Sequence, residues 1–409
     1  MIDVLIVGAG PAGSVAAIHL ARAGVRVRLV DRTRFPRPKL CGDSINPGAA
    51  SLLLGLGLRL QDTGALRIPG MRLTGLDVPL RPVGGSGARP TDIEAMYPGR
   101  LQGWTLSRSR LDAWLLERAI ADGAAFEPDV MVTGPLTSST RGGNAVRGVR
   151  GITRRGPVDF EARVVLAADG RRSRLAFALG LARPSLRPRR WAVGAILAGV
   201  PPFATGEMHV RANGYIGLAP LPDGLTNACV VTADVQGALR EPAAFLKAVL
   251  QADPLLRDRM ARLEMALPAH VLGPLATEPT GAETAGVLCA GDAAGFIDPI
   301  TGDGLRFAVE GAEIAAAAAV RALSLGWEAV HPFVRRERRE RFAAKWRMNL
   351  AVRRLVASPA ALRAAACTGR WMPGLIRALI TRAGDVGLAD RVRDVRSPVL
   401  VTPWSGSQV

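Results

Sequence analysis

Cysteine is scarce and scattered in this sequence. The four residues, Cys41, Cys229, Cys289 and Cys367, form no C-x-x-C pair, and no histidine stands at metal-ligand spacing. Neither a structural disulfide nor a bound metal is expected, and the chain reads as cytoplasmic. Lysine is nearly missing too: Lys39, Lys247 and Lys345 stand alone, so a formal charge of +18 is carried by arginine. An Arg-, Ala-, Gly- and Pro-rich composition is also what a GC-rich coding sequence produces, so the charge by itself names no partner. No aromatic stacking platform accompanies the arginines, which argues against DNA or RNA.

Long apolar runs are absent as well. Ile314–Val320 is mostly alanine and stops at Arg321, too short to span a bilayer. The apolar N-terminal residues follow no basic region and belong to a strand, so they read as no signal peptide. No repeat, linker or polar low-complexity tract divides the chain. The glycine patches Gly84–Gly87 and Gly142–Gly143 are hairpin-sized, and 409 residues leave room for two cores.

What is present begins at Ile2. Residues 2–31 read IDVLIVGAGPAGSVAAIHLARAGVRVRLVD: a buried strand Ile2–Val7, a glycine turn, a helix Ala12–Ala23, a second strand Val25–Val30 and an acid at its tip. Gly8 and Gly10 stand where the chain turns sharply and a pyrophosphate must approach the backbone. Gly13 lets the helix, entered through Pro11 and Ala12, pack close to the sheet. The helix N-terminus offers free N–H groups and a positive dipole end to phosphates. Asp31, eighteen residues beyond Gly13, is placed to accept hydrogen bonds from both ribose hydroxyls, which argues against a 2′-phosphate there. Strand, turn, helix, strand and acid together specify a dinucleotide site.

Two further stretches turn that site into one for a flavin. Val164–Gly170, VVLAADG, followed by Arg171, Arg172 and Ser173, reads as a buried strand ending in Ala-Asp-Gly at another helix start. Gly286–Glu310 runs GVLCAGDAAGFIDPITGDGLRFAVE: a strand ending at Gly291-Asp292, a loop bearing Pro299, then Gly302, Asp303 and Gly304 leading into an alanine-rich helix to about Leu323. Asp292 is placed to hold polyol hydroxyls. The Gly302–Gly304 turn at a helix N-terminus can stabilise negative charge at the flavin N1–C2 edge.

On these residues the chain resembles the FAD-dependent oxidoreductases of the p-hydroxybenzoate hydroxylase fold, and more closely their geranylgeranyl-reductase-like branch. Four ordered motifs carry the resemblance over residues 1 to about 330: Gly8-x-Gly10-x-x-Gly13, Arg108-x-x-Leu111-Asp112, Ala168-Asp169-Gly170, and Gly291-Asp292 with Pro299, Gly302 and Gly304. The resemblance implies non-covalent FAD, with Arg108 near its phosphates, Asp292 on its ribityl chain, and Asp169-Gly170 shaping a groove for NAD(P)H as reductant. Phe35–Ala49, FPRPKLCGDSINPGA, is similar to a K-x-C-G segment of geranylgeranyl reductases that borders the flavin. Arg32, Lys39, Cys41 and Gly42 are therefore expected at the cofactor. Cys41 suits a proton donor, a redox-sensitive thiol or a space-filling residue under the ring.

The pattern departs from the family in one place. Where the reductases carry an aromatic-rich Y-x-W-x-F-P segment, this chain has Gly214–Pro220, GYIGLAP, which implies a roomier cavity and puts a prenyl substrate in doubt. A halogenase W-x-W-x-I-P segment is absent, which disfavours halogenation. Tyr215, Leu218 and Pro220 are the expected cavity residues.

The expected architecture is α/β with an α+β substrate domain. A Rossmann-type, glutathione-reductase-like FAD-binding domain takes residues 1–185 and 280–330, lending short segments near 70–105 to the substrate side. Residues 186–279 form an antiparallel sheet roofing the flavin, built from Trp191–Val200, Glu207–Ala212, Tyr215–Ala219 and Thr226–Val235, with a helical stretch Pro242–Leu263 and a strand near Ala269–Leu275. Trp191, Leu197, Val210, Ile216 and Leu218 are apolar positions of this sheet, for the cavity or for its core. Residues 331–409 are helical and basic, interrupted by Trp346, Trp371, Met372 and Pro373, and read as a cover over the substrate entrance. In them Arg335, Arg336, Arg338, Arg339, Arg341, Lys345, Arg347, Arg353 and Arg354 crowd one helical stretch, a face suited to anionic lipid or to an acidic ferredoxin or flavodoxin.

Reduced flavin can deliver hydride from N5 to an activated double bond of an apolar or aromatic small molecule, or capture oxygen at C4a and hydroxylate a ring. Cys41 favours reduction or dehydrogenation; monooxygenation is the alternative, and a flavoprotein that only carries electrons is the third.

Overall fold

The computed structural model describes residues 2–75, 91–140, 143–185, 189–212, 214–233, 236 and 239–387. The Gly84–Gly87 patch, Gly142, and Asp234 and Val235 of the expected sheet lie outside them.

The strand Ile2–Val7 sits inside a seven-stranded sheet. It pairs in parallel with Val27–Val30 and with the C-terminal half of Gly156–Ala167; Ala125–Glu127 and Val287–Cys289 extend the parallel set on either side. These strands are near-continuous apolar runs because both faces are covered. Gly156–Ala167 changes character along its length. Its first half pairs antiparallel with Gly143–Thr153, alternating buried and exposed, and Gly143–Thr153 returns to Met131–Thr140.

Helices Pro11–Arg22, Arg108–Ala121 and Gly304–Leu325 share one core with the parallel strands. Ala12 and Ala16 on the first and Ala308, Ala312 and Ala315 on the third are all buried there. With methyl groups at the contact, the two helices approach closely over the glycine turn.

A second sheet of eight strands runs Glu264–Met265, Trp191–Ala198, Thr226–Thr232, Gly214–Pro220, Gly206–Arg211, Gly70–Thr74 and Asp92–Met96, with His270–Leu272 also on Trp191–Ala198. Its pairings are antiparallel except Gly206–Arg211 with Gly70–Thr74. Helix Pro242–Ala252 covers one face, packing Phe245, Leu246 and Val249 against Val193, Leu197, Ile216, Leu218 and Val230.

Several expectations change here. The helix expected over Pro242–Leu263 stops at Ala252, because Asp253 precedes a proline and adopts extended backbone (ψ 124°). The Asp253 carboxylate there binds the Arg211 guanidinium through two bonds, at 2.7 and 3.1 Å, both side chains fully buried. Leu218, expected at the cavity, packs in the core under the covering helix rather than on the face that carries Tyr215. Side chains alternate along a strand, so Leu218 points with Ile216 under helix Pro242–Ala252 while Tyr215 points the other way.

The C-terminal helices are Val330–Ala357, Pro359–Trp371 and Pro373–Ala383. Trp346 does not interrupt the first; it packs edge-on against Phe307, ring centroids 5.9 Å apart. The break at Trp371 and Met372 is real, with Pro373 opening the next helix. The arginine run is not one solvated face. Arg338 donates to the Ala294 carbonyl, Arg341 pairs with Glu313 and Glu337, and Lys345 and Arg353 are buried. Among the described residues, no helix is long and apolar enough to cross a membrane.

Candidate cofactor and substrate site

The glycine turn is shaped by contacts that only glycine permits. Gly8 has φ +100°, and a Cβ there would stand 2.6 Å from the Ala168 carbonyl oxygen, so the turn lies directly on the Ala168-Asp169-Gly170 segment. A Cβ on Gly13 would stand 1.8 Å from the Gly8 carbonyl oxygen. Gly10 instead faces open space, with the Arg37 guanidinium 3.8 Å from where its Cβ would be, and it caps the helix with no side chain spent on the free N–H groups. Asp31 is buried at the tip of its strand and braces the turn. It accepts from the Ala9 N–H at 2.8 Å and from the N–H and hydroxyl of Thr33 at 2.9 and 2.8 Å.

Cations gather beside this turn. Arg108, first residue of its helix, holds the buried Asp112 through two bonds, at 2.7 and 2.9 Å, and Arg37 approaches the same carboxylate at 3.5 Å. Burial works against the Arg108 charge, but Asp112 and the Cys41 side chain beside it keep its affinity for the proton above the usual guanidinium range. Lys39 is depressed by burial and by Arg108, with Asp292 and Asp112 opposing. Arg37, Lys39 and Arg108 thus gather beside the turn where a diphosphate is expected, among the carboxylates of Asp31, Asp43, Asp112 and Asp292. Arg32 is exposed at the rim, and Gly42 has open space around it.

Asp169 is half-buried and accepts from the Arg174 N–H at 3.0 Å; desolvation raises its pKa. Next to it Arg171 is pulled down to about 10 by burial and by the neighbouring Arg172, and both arginines donate to carbonyls of the Gly273-Pro274 corner. Gly291 packs on Ala12, so the motif carrying Asp292 lies against the first helix. Pro299 follows Asp298 in a tight turn to Gly302, and the helix from Gly304 begins at Asp303 with no side-chain cap. The Asp303 carboxylate turns inward: Lys345 binds it at 2.9 Å and reaches Asp385 at 3.0 Å, while Asn46 lies 3.4 Å from Asp303 and 3.3 Å from Asp385. Burial raises Asp303 to about 6, with Lys345 opposing.

The second sheet meets the Phe35–Ala49 loop from the other side. Asn227 donates its amide to the Cys41 carbonyl at 2.9 Å and to the Asp43 carboxylate at 2.7 Å. Asp43 has φ +51°, accepts also from the Arg108 N–H at 3.0 Å, and is pushed up to about 7 by burial despite Asn227 and Arg108. Leu40 packs on Gly194, where a Cβ would stand 2.7 Å from it. Met208, Gly217, Cys229 and Gly194 form one cross-strand row on this face. In strands that are otherwise buried, Gly217 and Cys229 are each the single partly exposed position, so an opening lies at the centre of the sheet. Burial pushes the Cys229 thiol up to about 12, with Cys41 and Asp43 adding to it. Tyr215 does share this face, but its hydroxyl is committed to Asp298 at 2.6 Å, and Asp298 to Arg190 at 3.1 Å. Pro220 is buried and its carbonyl accepts from Thr105.

Asn227, Gly217 and Cys229 were not among the site residues expected from sequence. Strict alternation along Gly214–Pro220 was the available signal for Gly217; nothing local marks Asn227. The residues present fit a flavin dinucleotide. Gly8 and Gly13 leave no room for side chains, three cations gather beside them, and Asn227 Oδ1 is a buried acceptor with no partner among the described residues. Among the described residues no cluster of His, Cys, Asp or Glu could hold a metal.

A parallel sheet carrying this cradle, joined to a second, largely antiparallel sheet, defines a flavoprotein oxidoreductase of the p-hydroxybenzoate hydroxylase type. The FAD binding domain family matches residues 1–328, and the chain belongs to that family. It is 30% identical over 346 residues to the menaquinone reductase of Mycolicibacterium smegmatis, covering 77% of this chain and 75% of that protein. It is 31% identical over 339 residues to digeranylgeranylglycerophospholipid reductase 2 of Methanopyrus kandleri, covering 78% and 77%. The same fold occurs in a geranylgeranyl bacteriochlorophyll reductase-like protein from Thermoplasma acidophilum (TM-score 0.73, 21% identity, 98% of this chain and 97% of that one) and in a flavin-dependent brominase (TM-score 0.77, 20% identity, 96% and 97%).

Proposed function

We propose that the chain holds FAD non-covalently in this cradle and reduces a carbon–carbon double bond of an apolar, isoprenoid-bearing small molecule lodged under the second sheet. The observation that carries this reading is the opening at Gly217 and Cys229, which faces the Cys41–Asp43 loop across an apolar lining. The names of the relatives support the choice of substrate class against the doubt raised by the missing aromatics of Gly214–Pro220, whose small residues leave a bulky chain room.

FAD, when bound, supplies hydride to the double bond. The protein supplies everything else. Gly8, Gly10, Gly13, Asp31, Arg37, Lys39, Arg108 and Asp292 hold the dinucleotide, and the uncapped helix starts at Pro11 and Gly304 meet its negative charge. Asp43, pushed up to about 7, keeps its carboxyl proton near neutrality and is the acid for the adjacent carbon. Asn227 orients both Asp43 and the Cys41 backbone, and Arg108 fixes the Cys41 side chain. Leu40, Phe296, Ile300 and Leu362 exclude water from the same compartment. NAD(P)H is the proposed reductant, entering beside Asp169 and Arg171.

The test is anaerobic. Protein with chemically reduced flavin is mixed with a menaquinone and, separately, with a geranylgeranylated lipid. Reoxidation without oxygen, with a product two hydrogens heavier, supports the reading. Reoxidation only on admitting oxygen, with a hydroxylated product, replaces it with monooxygenation; no reoxidation by any ligand leaves an electron carrier.

A further inference from the structure

We propose that the corner between helices Pro359–Trp371 and Pro373–Ala383 is a docking surface for an anionic lipid bilayer. Trp371 is 86% exposed and Met372 58%, and Leu375 and Leu379 follow at 47% and 45%. Leu375 and Leu379 stand four residues apart on the second helix and share one stripe of its surface, with Trp371 and Met372 at the break just before it. An isolated exposed leucine is ordinary, whereas a tryptophan, a methionine and two leucines grouped at a helix corner are not.

Charge selects the occupant. From Phe342 to Gly384 the sequence has no aspartate or glutamate, while Arg347, Arg354, Arg363, Arg377 and Arg382 are exposed. Apolar residues on a stretch whose own charged groups are all basic match a surface that is apolar in depth and anionic on top, with tryptophan at the boundary. Two copies meeting through this corner would bring like charges together. An acidic protein would answer the arginines but leave the central stripe unexplained.

The inner side of the same unit gives the surface a purpose. Leu362 and Val356 reach the apolar cluster that includes Tyr215, Leu40 and Cys229. The helix that ends at the exposed Trp371 thus also reaches, through Leu362 near its other end, the apolar cluster on the sheet face that carries Gly217.

Sedimentation of the full-length holoprotein with vesicles tests this without turnover, so the result stands apart from the reductase reading. Binding is expected to vesicles of equal phosphatidylglycerol and phosphatidylcholine, weaker to phosphatidylcholine alone, and weaker in high salt. Trp371→Ser with Leu375→Ser should lower vesicle affinity about tenfold or more with unchanged thermal midpoint. Arg363→Glu should lower it only on the anionic vesicles. Failure to sediment, full binding by the double variant, or a concentration-dependent dimer abolished by Trp371→Ser overturns the proposal. So does Trp371 emission already shielded from a soluble quencher without lipid, since another part of the chain would then cover the corner.

Discussion

The amide of Asn227 donates to the carboxylate of Asp43 at 2.7 Å, which ties the centre of the roofing sheet to the loop that carries Cys41. The carboxyl is held by a strand far away in sequence, and its proton affinity is set by that enclosure. A raised pKa means the folded protein keeps a proton that the unfolded chain releases near its ordinary value of 3.8. The stabilisation linked to that proton is complete below about 3.8 and is lost as pH rises to about 7.

Turnover should therefore fall as pH rises through about 7, and Asp43→Asn should be slow with a flattened profile. Denaturant midpoints should move in favour of Asp43→Asn, relative to the parent, between pH 4 and pH 7. Cys41→Ala separates the two candidates for the acid: if it abolishes turnover while Asp43→Asn does not, the thiol is the donor and Asp43 only positions it.

The cradle predicts its own failures. Gly13→Ala forces a methyl against the Gly8 carbonyl and should cost roughly 1–3 kcal/mol or more, with FAD lost on purification. Asp31→Ala leaves the buried Ala9 N–H unpaired, a loss of about 1–3 kcal/mol, so FAD affinity should fall on the order of tenfold to a hundredfold. Flavin-to-protein ratios after dialysis check both; a Gly13→Ala protein that stays fully yellow refutes the cradle.

Gly217→Val fills the proposed opening with little else to strike, the nearest heavy atoms to its Cβ being 3.9 Å away. FAD content and thermal midpoint should hold while KM for a long isoprenoid rises about tenfold or more. An unchanged KM would move the cavity elsewhere.

Stopped-flow mixing with NADPH, NADH and a reduced ferredoxin at two salt concentrations identifies the donor. Rapid, salt-insensitive reduction by a pyridine nucleotide is expected. Reduction by ferredoxin alone, collapsing in high salt, would assign the arginines a donor-steering role instead.

Local chemistry was readable in the sequence, and long-range placement was not. Gly8, Gly13 and Asp31 act within one strand–helix–strand unit, so spacing sufficed. The helix end at Asp253 was also local and was overlooked, since Pro254 announces it. Apolarity alone does not tell the two faces of Gly214–Pro220 apart, whereas the two-residue alternation sets Leu218 opposite Tyr215. The arginine run misled for a different reason: a helix buries residues by where its neighbours pack, and no pattern in 335–354 shows that Arg338, Lys345 and Arg353 face inward. Asn227 is an ordinary strand residue until the fold lays Asp43 beneath it.

Asn46 and Asp385 meet across 339 residues, in the buried group that also holds Lys345 against Asp303 at the start of the flavin-edge helix. The two ends of the described chain therefore complete one neighbourhood. During synthesis the Gly8–Asp31 unit emerges early and can fold early, but the ammonium that neutralises Asp303 and the carboxylate that shares it leave the ribosome long after it. Cofactor retention should accordingly be a property of the released chain, and nascent chains halted before Lys345 should form the cradle without keeping the flavin.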